Sequence, residues 1–206
     1  IKKINLKKVQ LKKLITDIVF LSETSLLLST ATKMYRVQLD ASCEKVLKFK
    51  ELKLGFSNST IRKIIKVETS IWVGTDKGLH QLFYESDKLR LLNSYFNKAP
   101  KGKDLQIKVR SLFLDTDKNL WVGTETMGAL RFNRASETFT SYTYDTKNRD
   151  GISSNYIKCF YEDAFGLLWI GTGFGGLNTL DKNQKPFRNY SHNPYSPSSL
   201  SNNLIT

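Results

Sequence analysis

The sequence carries Leu168-Trp169-Ile170-Gly171-Thr172 and repeats it, with small changes, as Ile71-Trp72-Val73-Gly74-Thr75 and as Leu120-Trp121-Val122-Gly123-Thr124. The three tryptophans are separated by 49 and 48 residues. A weaker copy, Leu26-Leu27-Leu28-Ser29-Thr30, places Leu27 45 residues before Trp72. A period this constant over four copies indicates a repeat architecture.

The surroundings of the three clear copies also match. An apolar run precedes each tryptophan, and a short turn ending in Gly78, Gly128 or Gly176 follows it. A partly alternating run comes next, and a last run closes the copy with an apolar residue and a tyrosine: Leu92 and Tyr95, Phe139 and Tyr142, Phe187 and Tyr190. One unit is therefore predicted to contain four short strands.

Four strands per unit, joined by turns, predict an all-β fold of four-stranded antiparallel sheets without helices. A period of roughly 40 to 50 residues with four strands is typical of β-propeller blades. A single small sheet cannot bury both faces, so Trp72, Trp121 and Trp169 are predicted to fill the space between blades. Gly74, Gly123 and Gly171 belong to the same structural repeat.

The repeat divides the chain, which we expect to be one propeller segment over residues 1–206. We expect the end of a preceding blade and a linker at 1–14, blades at 15–54, 55–98, 99–146 and 147–194, and the start of a further blade at 195–206. About four blades suit an arc of a larger propeller better than a closed small ring. The sequence begins at Ile1 without a charged-then-apolar leader, so we expect a processed chain or an excised segment.

The composition excludes several classes of protein. With 206 residues, 40% apolar and 12% aromatic, the chain has enough core material to fold. Its apolar runs are a few residues long, whereas a membrane-spanning helix needs about 20. Cys43 and Cys159 lie far apart without partners spaced for zinc, so they predict neither a disulfide framework nor a metal site and leave the redox compartment open.

The formal net charge of +13 raises the question of anionic partners such as nucleic acid, a membrane surface or an acidic glycan. Six lysines fall within residues 1–14, but the remainder still carries +7, so the charge is spread along the chain. The apolar residues of 1–14 scatter around a helical wheel, which argues against a membrane-surface helix. We expect an exposed edge strand there, whose lysines discourage aggregation.

The fourth copy resembles the two-component regulator propeller repeat. The resemblance rests on the Ser154-Asn155 start, the acidic pair Glu162-Asp163 before a glycine turn, the strand around Trp169 and the Gly175-Gly176-Leu177 hairpin. The copies around Trp72 and Trp121 match fairly, and the copy around Leu27 matches poorly.

The resemblance implies the periplasmic sensor region of a Bacteroidetes hybrid two-component system protein, which detects glycan fragments. It also implies a long parent protein with two propellers, a β-sandwich, a membrane span, a histidine kinase and a DNA-binding region. Expected partners are then an oligosaccharide, the histidine kinase region of the same polypeptide and a second copy in a homodimer, with no nucleic acid for this segment. Kinase activity would lie outside these residues.

Two motifs imitate known sites without their required context. Residues 171–176 have the G-x-G-x-x-G spacing of a dinucleotide site, but a strand is expected after them where that site needs a helix. Asp115-Thr116-Asp117 imitates the start of a calcium loop, but Leu120 and Thr126 stand where Gly and Glu are needed. We read both as turns between strands and expect no cofactor and no metal.

No catalytic constellation can be assembled from the sequence. His80 and His192 are the only histidines, and other copies have Leu130, Asn178 and Tyr144 at the corresponding positions. Cys159, in a predicted innermost strand, is expected to be a packed thiol. We therefore expect no enzyme, with a propeller lyase as the enzymatic alternative.

A ligand is expected on loops, which a rigid scaffold holds in place. The connection between the second and third strands and the link to the next blade emerge at the same end of a blade. Cations of these loops that could meet carboxylate or sulfate groups are Lys77, Lys101, Lys103, Lys147 and Arg149. Phe174 and Tyr195 could stack on a sugar face. The predicted function is glycan sensing, and the alternatives are a protein-interaction scaffold without a small ligand or the lyase.

Overall fold

The computed structural model describes residues 14–56, 59–85, 88–96, 107–134, 136–148, 151–182 and 187–206. This part of the chain contains sixteen β-strands and no helix, hence no helical segment suited to crossing a membrane. The strands form four four-stranded antiparallel sheets, which confirms the all-β prediction and the predicted blade architecture. The chain divides into two compact units, Ile1–Gln106 and Ile107–Thr206, each described below by itself.

Unit 1 holds two sheets in which each strand pairs with the next one in the chain. The first sheet contains β1 (Ile15–Ser22), β2 (Ser25–Thr30), β3 (Met34–Leu39) and β4 (Val46–Leu52). The second contains β5 (Ile61–Val67), β6 (Ser70–Thr75), β7 (Gly78–Glu85) and β8 (Lys88–Tyr95). The first strands of the two sheets lie side by side, and the Ile64 amide donates to Asp17 Oδ2 at 2.8 Å. The strand expected within residues 1–14 falls almost wholly outside the described residues.

The core of unit 1 lies between its two sheets. It is formed by apolar side chains that both sheets contribute: Leu27, Met34, Leu52, Leu54, Ile61, Ile64, Ile71, Val73 and Leu82. Leu27 is fully buried where the other copies have tryptophan. A second cluster, which includes Leu26, Leu28, Tyr35 and Val37, covers the opposite face of the first sheet. Both faces of this sheet therefore bury apolar surface, as a blade requires.

Unit 2 repeats this arrangement. Its first sheet contains β9 (Val109–Leu114), β10 (Leu120–Thr124), β11 (Ala129–Asn133) and β12 (Thr138–Tyr142). Its second contains β13 (Ile157–Glu162), β14 (Leu167–Thr172), β15 (Leu177–Asp181) and β16 (Arg188–Tyr190). The first strands β9 and β13 again lie side by side. The repeat of the sequence is thus a repeat of sheet topology.

Each repeat tryptophan stacks on the closing tyrosine of its own sheet. The ring centroids of Trp72 and Tyr95, Trp121 and Tyr142, and Trp169 and Tyr190 are 5.7, 5.5 and 6.0 Å apart. Trp121 is fully buried and packs against Ile157, Leu168 and Ile170 of the next sheet, which places it between two blades. Trp72 is buried as well, while Trp169 is partly exposed.

The glycine that follows each of two tryptophans allows the next segment of the chain to approach closely. A Cβ atom on Gly123 would lie 2.8 Å from Ile157 Cγ2 and 2.2 Å from Ser111 Oγ. A Cβ atom on Gly171 would lie 2.8 Å from Ile205 Cγ2. Ile157 and Ile205 are 48 residues apart, so the segment around Ile205 packs on the fourth sheet as β13 packs on the third.

Asp115, the first aspartate of the calcium-like motif, and Asp163, its counterpart in the next copy, each bind a turn and an indole. Asp115 Oδ2 and Asp163 Oδ2 each accept a hydrogen bond from the indole N–H of Trp121 and Trp169, both at 2.9 Å. Their Oδ1 atoms accept backbone amides of the turn, from Asn119 at 2.7 Å and from Leu167 at 3.0 Å. The hydrogen bond from Trp169 lowers the pKa of Asp163 below its ordinary value. These carboxylates stabilise the turns, and the described residues contain no cluster suited to a metal ion.

A buried lysine joins the two sheets of unit 2. Lys182 Nζ contacts Glu162 Oε1 at 2.6 Å and Asp115 Oδ2 at 3.6 Å, and it also pairs with Asp117. Burial by itself lowers the pKa of Lys182, but hydrogen bonds to Asp117 and Glu162 outweigh it, so the pKa is raised. Burial by itself raises the pKa of Glu162, but hydrogen bonds from Lys182 and Thr116 outweigh it, so the pKa is lowered. Lys182 and Glu162 are therefore both charged at neutral pH.

Replacing this lysine tests how far unit 2 depends on it. Lys182→Met leaves buried Asp115 and Glu162 without their counter-charge, so the free energy of unfolding at pH 7 should fall by about 3 kcal/mol in urea titrations followed by tryptophan fluorescence. The loss should shrink as the pH falls, because protonation neutralises the carboxylates. Lys108→Met, which breaks the exposed pair with Glu125, should cost less than about 1 kcal/mol. Equal losses in the two variants would contradict the role assigned to Lys182.

Candidate functional site

The loops at one end of unit 2 are fastened to each other by repeated hydrogen bonds. The hydroxyls of Thr124 and Thr172 donate to the carbonyls of Gly128 and Gly176 at 2.9 and 2.8 Å and thereby close the β10–β11 and β14–β15 loops. The Gly128 amide donates to the Asn155 carbonyl at 3.0 Å, which ties the first of these loops to the link before β13. Loops held this firmly can position side chains for binding.

The same end carries a pair of aromatic rings. The Phe174 side chain is 72% exposed, and its ring lies 5.7 Å from the ring of Tyr156. The backbone between them fixes this arrangement, since the Gly173 amide donates to the Tyr156 carbonyl at 2.8 Å. A Cβ atom on Gly173 would lie 2.3 Å from the Tyr156 ring, so only glycine fits here. The pair offers an apolar surface to solvent.

Cations surround the tyrosine. The Arg110 guanidinium carbon and Lys158 Nζ lie over the Tyr156 ring, 5.4 and 5.5 Å from its centroid. Arg110 Nη2 also donates to Glu125 Oε2 at 3.0 Å, and Lys108 Nζ lies 3.6 Å from the same oxygen. We call Arg110, Glu125, Tyr156, Lys158 and Phe174 the aromatic–cationic cluster. Together with Lys108 it has three cations and one carboxylate, so it retains positive charge.

The cluster draws on both sheets of unit 2. Arg110 lies in β9 and Glu125 directly follows β10, whereas Tyr156 directly precedes β13, Lys158 lies in β13 and Phe174 lies between β14 and β15. A ligand seated on the aromatic pair and the cations would therefore contact two adjacent sheets. The aromatic faces suit the C–H face of a sugar ring, and the cations suit carboxylate or sulfate groups.

Four of the seven predicted ligand residues lie in the described part of the chain, one in unit 1 and three in unit 2. Lys77 is half-buried in the β6–β7 turn of unit 1, where its amide donates to Thr75 Oγ1 at 3.1 Å. Lys147 and Tyr195 are exposed at equivalent positions of two successive links, where their amides donate to Asp145 and Asn193. Of the seven, Phe174 alone belongs to the cluster. Lys101, Lys103 and Arg149 lie outside the described residues.

The sequence interpretation missed Arg110, Tyr156 and Lys158. All three stand at the start of a first strand, where the link from the preceding blade enters the sheet. Phe174 was selected because its loop emerges at the end of the blade where the links to the next blade also emerge. The same argument, extended to the strand residues next to those links, would have identified all three.

The two histidines differ in their surroundings. His80 is buried, its ring stacks on Phe56 with centroids 4.0 Å apart, and its Nδ1 lies 2.9 Å from Ser94 Oγ. Burial lowers the pKa of His80 to about 4, so the ring is neutral at physiological pH. His192 is exposed and its Nδ1 lies 2.7 Å from the Leu200 carbonyl oxygen.

Cys159 lies in β13, a first strand as expected, but its side chain is exposed, so the expectation of a packed thiol is wrong. Its Sγ points at the small space beside Gly171. Residues 171–176 comprise the end of β14 and the β14–β15 loop, and β15 follows them, so the helix that a dinucleotide site requires is not there.

Comparison with known proteins identifies the repeat. Residues 105–126 and 151–174 match the family model of the two-component regulator propeller, which confirms the resemblance. The second matched segment includes Tyr156, Lys158 and Phe174, and the first includes Arg110 and Glu125. No curated protein matches the chain in sequence.

Solved structures share the fold. The extracellular domain of BT4673 from B. thetaiotaomicron, assigned as a one-component or a hybrid two-component system, is 25% identical with a TM-score of 0.67, over 90% of this chain and 23% of that one. The extracellular domain of BT3049, assigned as a hybrid two-component system of the same organism, is 22% identical with a TM-score of 0.63, over 92% of this chain and 23% of that one. This chain thus spans about a quarter of their length. Virginiamycin B lyase from Staphylococcus aureus, 16% identical with a TM-score of 0.59 over 87% of this chain and 56% of that one, shares the fold alone.

The buried histidine predicts an acid-sensitive stability. The unfolded chain protonates His80 near its ordinary pKa of 6.5, whereas the folded chain protonates it only near pH 4. The contribution of His80 to the free energy of unfolding is therefore fully present above pH 6.5. It is lost as the pH falls toward 4, and the loss amounts to roughly 3 kcal/mol at most. His80→Asn, the residue that another copy has at this position, should flatten this part of the pH dependence in urea titrations between pH 7.5 and 4.5.

His192→Asn is the matched control, since it makes the same substitution at the exposed histidine. If the parent and the His80→Asn variant lose stability in parallel over this range, His80 is not the group responsible.

Proposed function

We propose that this chain is part of the extracytoplasmic sensor region of a two-component regulator and that it binds a saccharide at the aromatic–cationic cluster. The two matched propeller repeats and the likeness to extracellular domains of two-component systems support this assignment. In such a protein the segment would lie in the periplasm. Its signalling partners would be a histidine kinase region of the same polypeptide and a second copy in a homodimer.

The aromatic–cationic cluster carries the proposal. Phe174 and Tyr156 are adjacent, Phe174 is largely exposed, and the loop between Thr172 and Gly176 that presents Phe174 is closed by a threonine hydroxyl. An exposed aromatic side chain on a well-fastened loop loses little conformational freedom when a flat ligand stacks on it. Sugar rings present such flat apolar faces together with hydroxyl groups that charged side chains can bind.

The charges favour an acidic saccharide. Arg110 and Lys158 lie over the same ring, and the carboxylate of Glu125 neutralises only part of the positive charge that Arg110 and Lys108 bring to it. Arg110 keeps a buried Nε without a hydrogen-bond partner, although its Nη2 is engaged. A carboxylate or sulfate on the ligand would add charge-assisted hydrogen bonds here.

The proposed role is binding without chemistry on the ligand. A buried neutral His80 is remote from solvent, and His192 is held by the backbone of its own link. Since the cluster spans two sheets of unit 2, a ligand would stabilise their relative arrangement and so favour one conformation of the sensor. Signals in regulators arise from such differences in affinity between conformations.

Truncating the exposed ring tests the proposal. Phe174→Ala removes the stacking surface, so the affinity for an oligosaccharide that raises the melting temperature of the parent chain should fall about tenfold. A thermal-shift screen of neutral and acidic oligosaccharides identifies the ligand, and calorimetric titration measures the affinity. Lys158→Gln should weaken binding of the acidic sugars more than binding of the neutral ones.

Phe165→Ala is the matched control, because Phe165 is 95% exposed in the β13–β14 turn at the other end of the same sheet. The proposal is wrong if no saccharide binds or if both variants weaken binding equally. Specific capture of a protein without any saccharide response would favour an interaction scaffold, and turnover lost in His80→Asn or His192→Asn would favour a lyase.

A further inference from the structure

We propose a second binding site, for an oxyanion group such as a sulfate or carboxylate, in a basic cleft of unit 1. The cleft has a volume of about 240 Å³ and is lined by Arg36, Gln38, Lys48 and Lys50. Among the residues that the structure describes, this lining contains three cations and no carboxylate. The site goes beyond the saccharide proposed for unit 2 and does not depend on it.

The register of the first sheet explains the concentration of charge. Arg36 in β3 stands opposite Lys50 in β4, and Gln38 stands opposite Lys48, so all four side chains share one face. Like charges directly opposite each other destabilise an antiparallel pair. Among the described residues no carboxylate lies within ion-pair distance of Lys48 or Lys50, whereas Lys33 of the same sheet pairs with Glu51 at 2.7 Å. A repulsive arrangement of this kind is relieved when an anion binds.

The rear of the cleft is fixed in place. Arg36 Nε donates to Ser25 Oγ at 3.2 Å, and Arg36 Nη2 donates to Gln38 Oε1 at 3.3 Å. Gln38 Nε2 in turn donates to Thr24 Oγ1 at 3.0 Å. The guanidinium lies 5.9 Å from the ring centre of Tyr84, which belongs to the second sheet. A guanidinium held this way loses little freedom on binding an anion.

The first sheet differs from the other three at two positions of the repeat. In the other three sheets a tryptophan and a tyrosine stack on this face, and in unit 2 Arg131 lies over its Trp121 at 6.0 Å. In the first sheet Leu27 stands opposite Arg36, and Leu52 stands opposite Met34, at the positions of that tryptophan and tyrosine. The weak first copy of the repeat thus has smaller side chains at these two positions, and Leu27 lies opposite Arg36 of the cleft lining.

Two of the three acidic residues of the β3–β4 hairpin, Asp40 and Glu51, are directed away from the cleft. Asp40 accepts the amides of Glu44 and Lys45 at 2.9 and 3.0 Å and the Ser42 hydroxyl at 2.8 Å. Glu51 follows Lys50 directly in β4, so its side chain points to the opposite face of the sheet. An anion in the cleft would therefore meet Lys48, Lys50 and Arg36 without competition from these two carboxylates.

Titration with defined anions, followed by amide chemical shifts of the 15N-labelled chain at constant ionic strength, tests the site. Sodium sulfate and sodium glucuronate are the probes, and glucose is the neutral control. Shifts that saturate in β3 and β4 with either anion are expected, and Lys48→Gln/Lys50→Gln should weaken that binding about tenfold. Binding of sulfate but not glucuronate would indicate a site for a tetrahedral oxyanion. Binding of both anions would indicate a site that also accepts the carboxylate of a sugar.

Lys53→Gln, which removes an exposed lysine just beyond β4 and outside the cleft, is the matched control. Lys48→Arg/Lys50→Arg keeps the charge and should retain binding. The site does not exist if neither anion moves the amides of β3 and β4, or if Lys53→Gln weakens binding as much as the double variant. Phe174→Ala should leave anion binding in this cleft unchanged. The anion site and the saccharide site can therefore be refuted independently of each other.

Discussion

The structure depends on how closely one blade can approach the next at the glycine after the repeat tryptophan. Ile157 packs where a side chain on Gly123 would stand, and Ile205 packs in the same way on Gly171. At Gly123 and Gly171 this approach leaves no room for a Cβ atom, whereas the first sheet accommodates Ser29 at the corresponding position. The close approach sets the spacing between the two sheets, and the tryptophan two residues before the glycine packs in that space. Trp121 is fully buried there. The packing between blades thus explains why the tryptophan and the glycine recur together in the sequence.

The same approach places the functional surface. Once Ile157 is seated, the preceding Tyr156 lies at the end of the sheet beside the β14–β15 loop, and its carbonyl accepts the Gly173 amide. Residues from β9, β13 and two loops meet there because the glycine contact brings their backbones together. Blade packing therefore brings the positions of the cluster together. Those that it leaves exposed carry aromatic and basic side chains.

The sequence predicts the strands and the sheet topology well, because the period and the turn glycines are local patterns. The packing of Trp121 on Tyr142 was not predicted, although both residues recur in each clear copy. Contacts between sheets are harder to predict. The pairing of Lys182 with Asp115 and the approach of Arg110 to Tyr156 join residues 67 and 46 positions apart, whose side-chain directions depend on how two sheets pack. Exposure of Cys159 escaped prediction for a similar reason, since only the packing shows which side of β13 is covered.

The net charge of +13 is distributed among positions with different physical roles. Lys182 is a buried structural ion that offsets carboxylates, and Lys33 and Lys63 are paired at the surface, so none of these implies a ligand. Lys48 and Lys50 share one face without a carboxylate, and Lys158 lies over an aromatic ring. Charge alone therefore says little about binding in this chain. What distinguishes a candidate site is a cation that the fold positions and that no described carboxylate pairs, and Lys48, Lys50 and Lys158 meet that criterion.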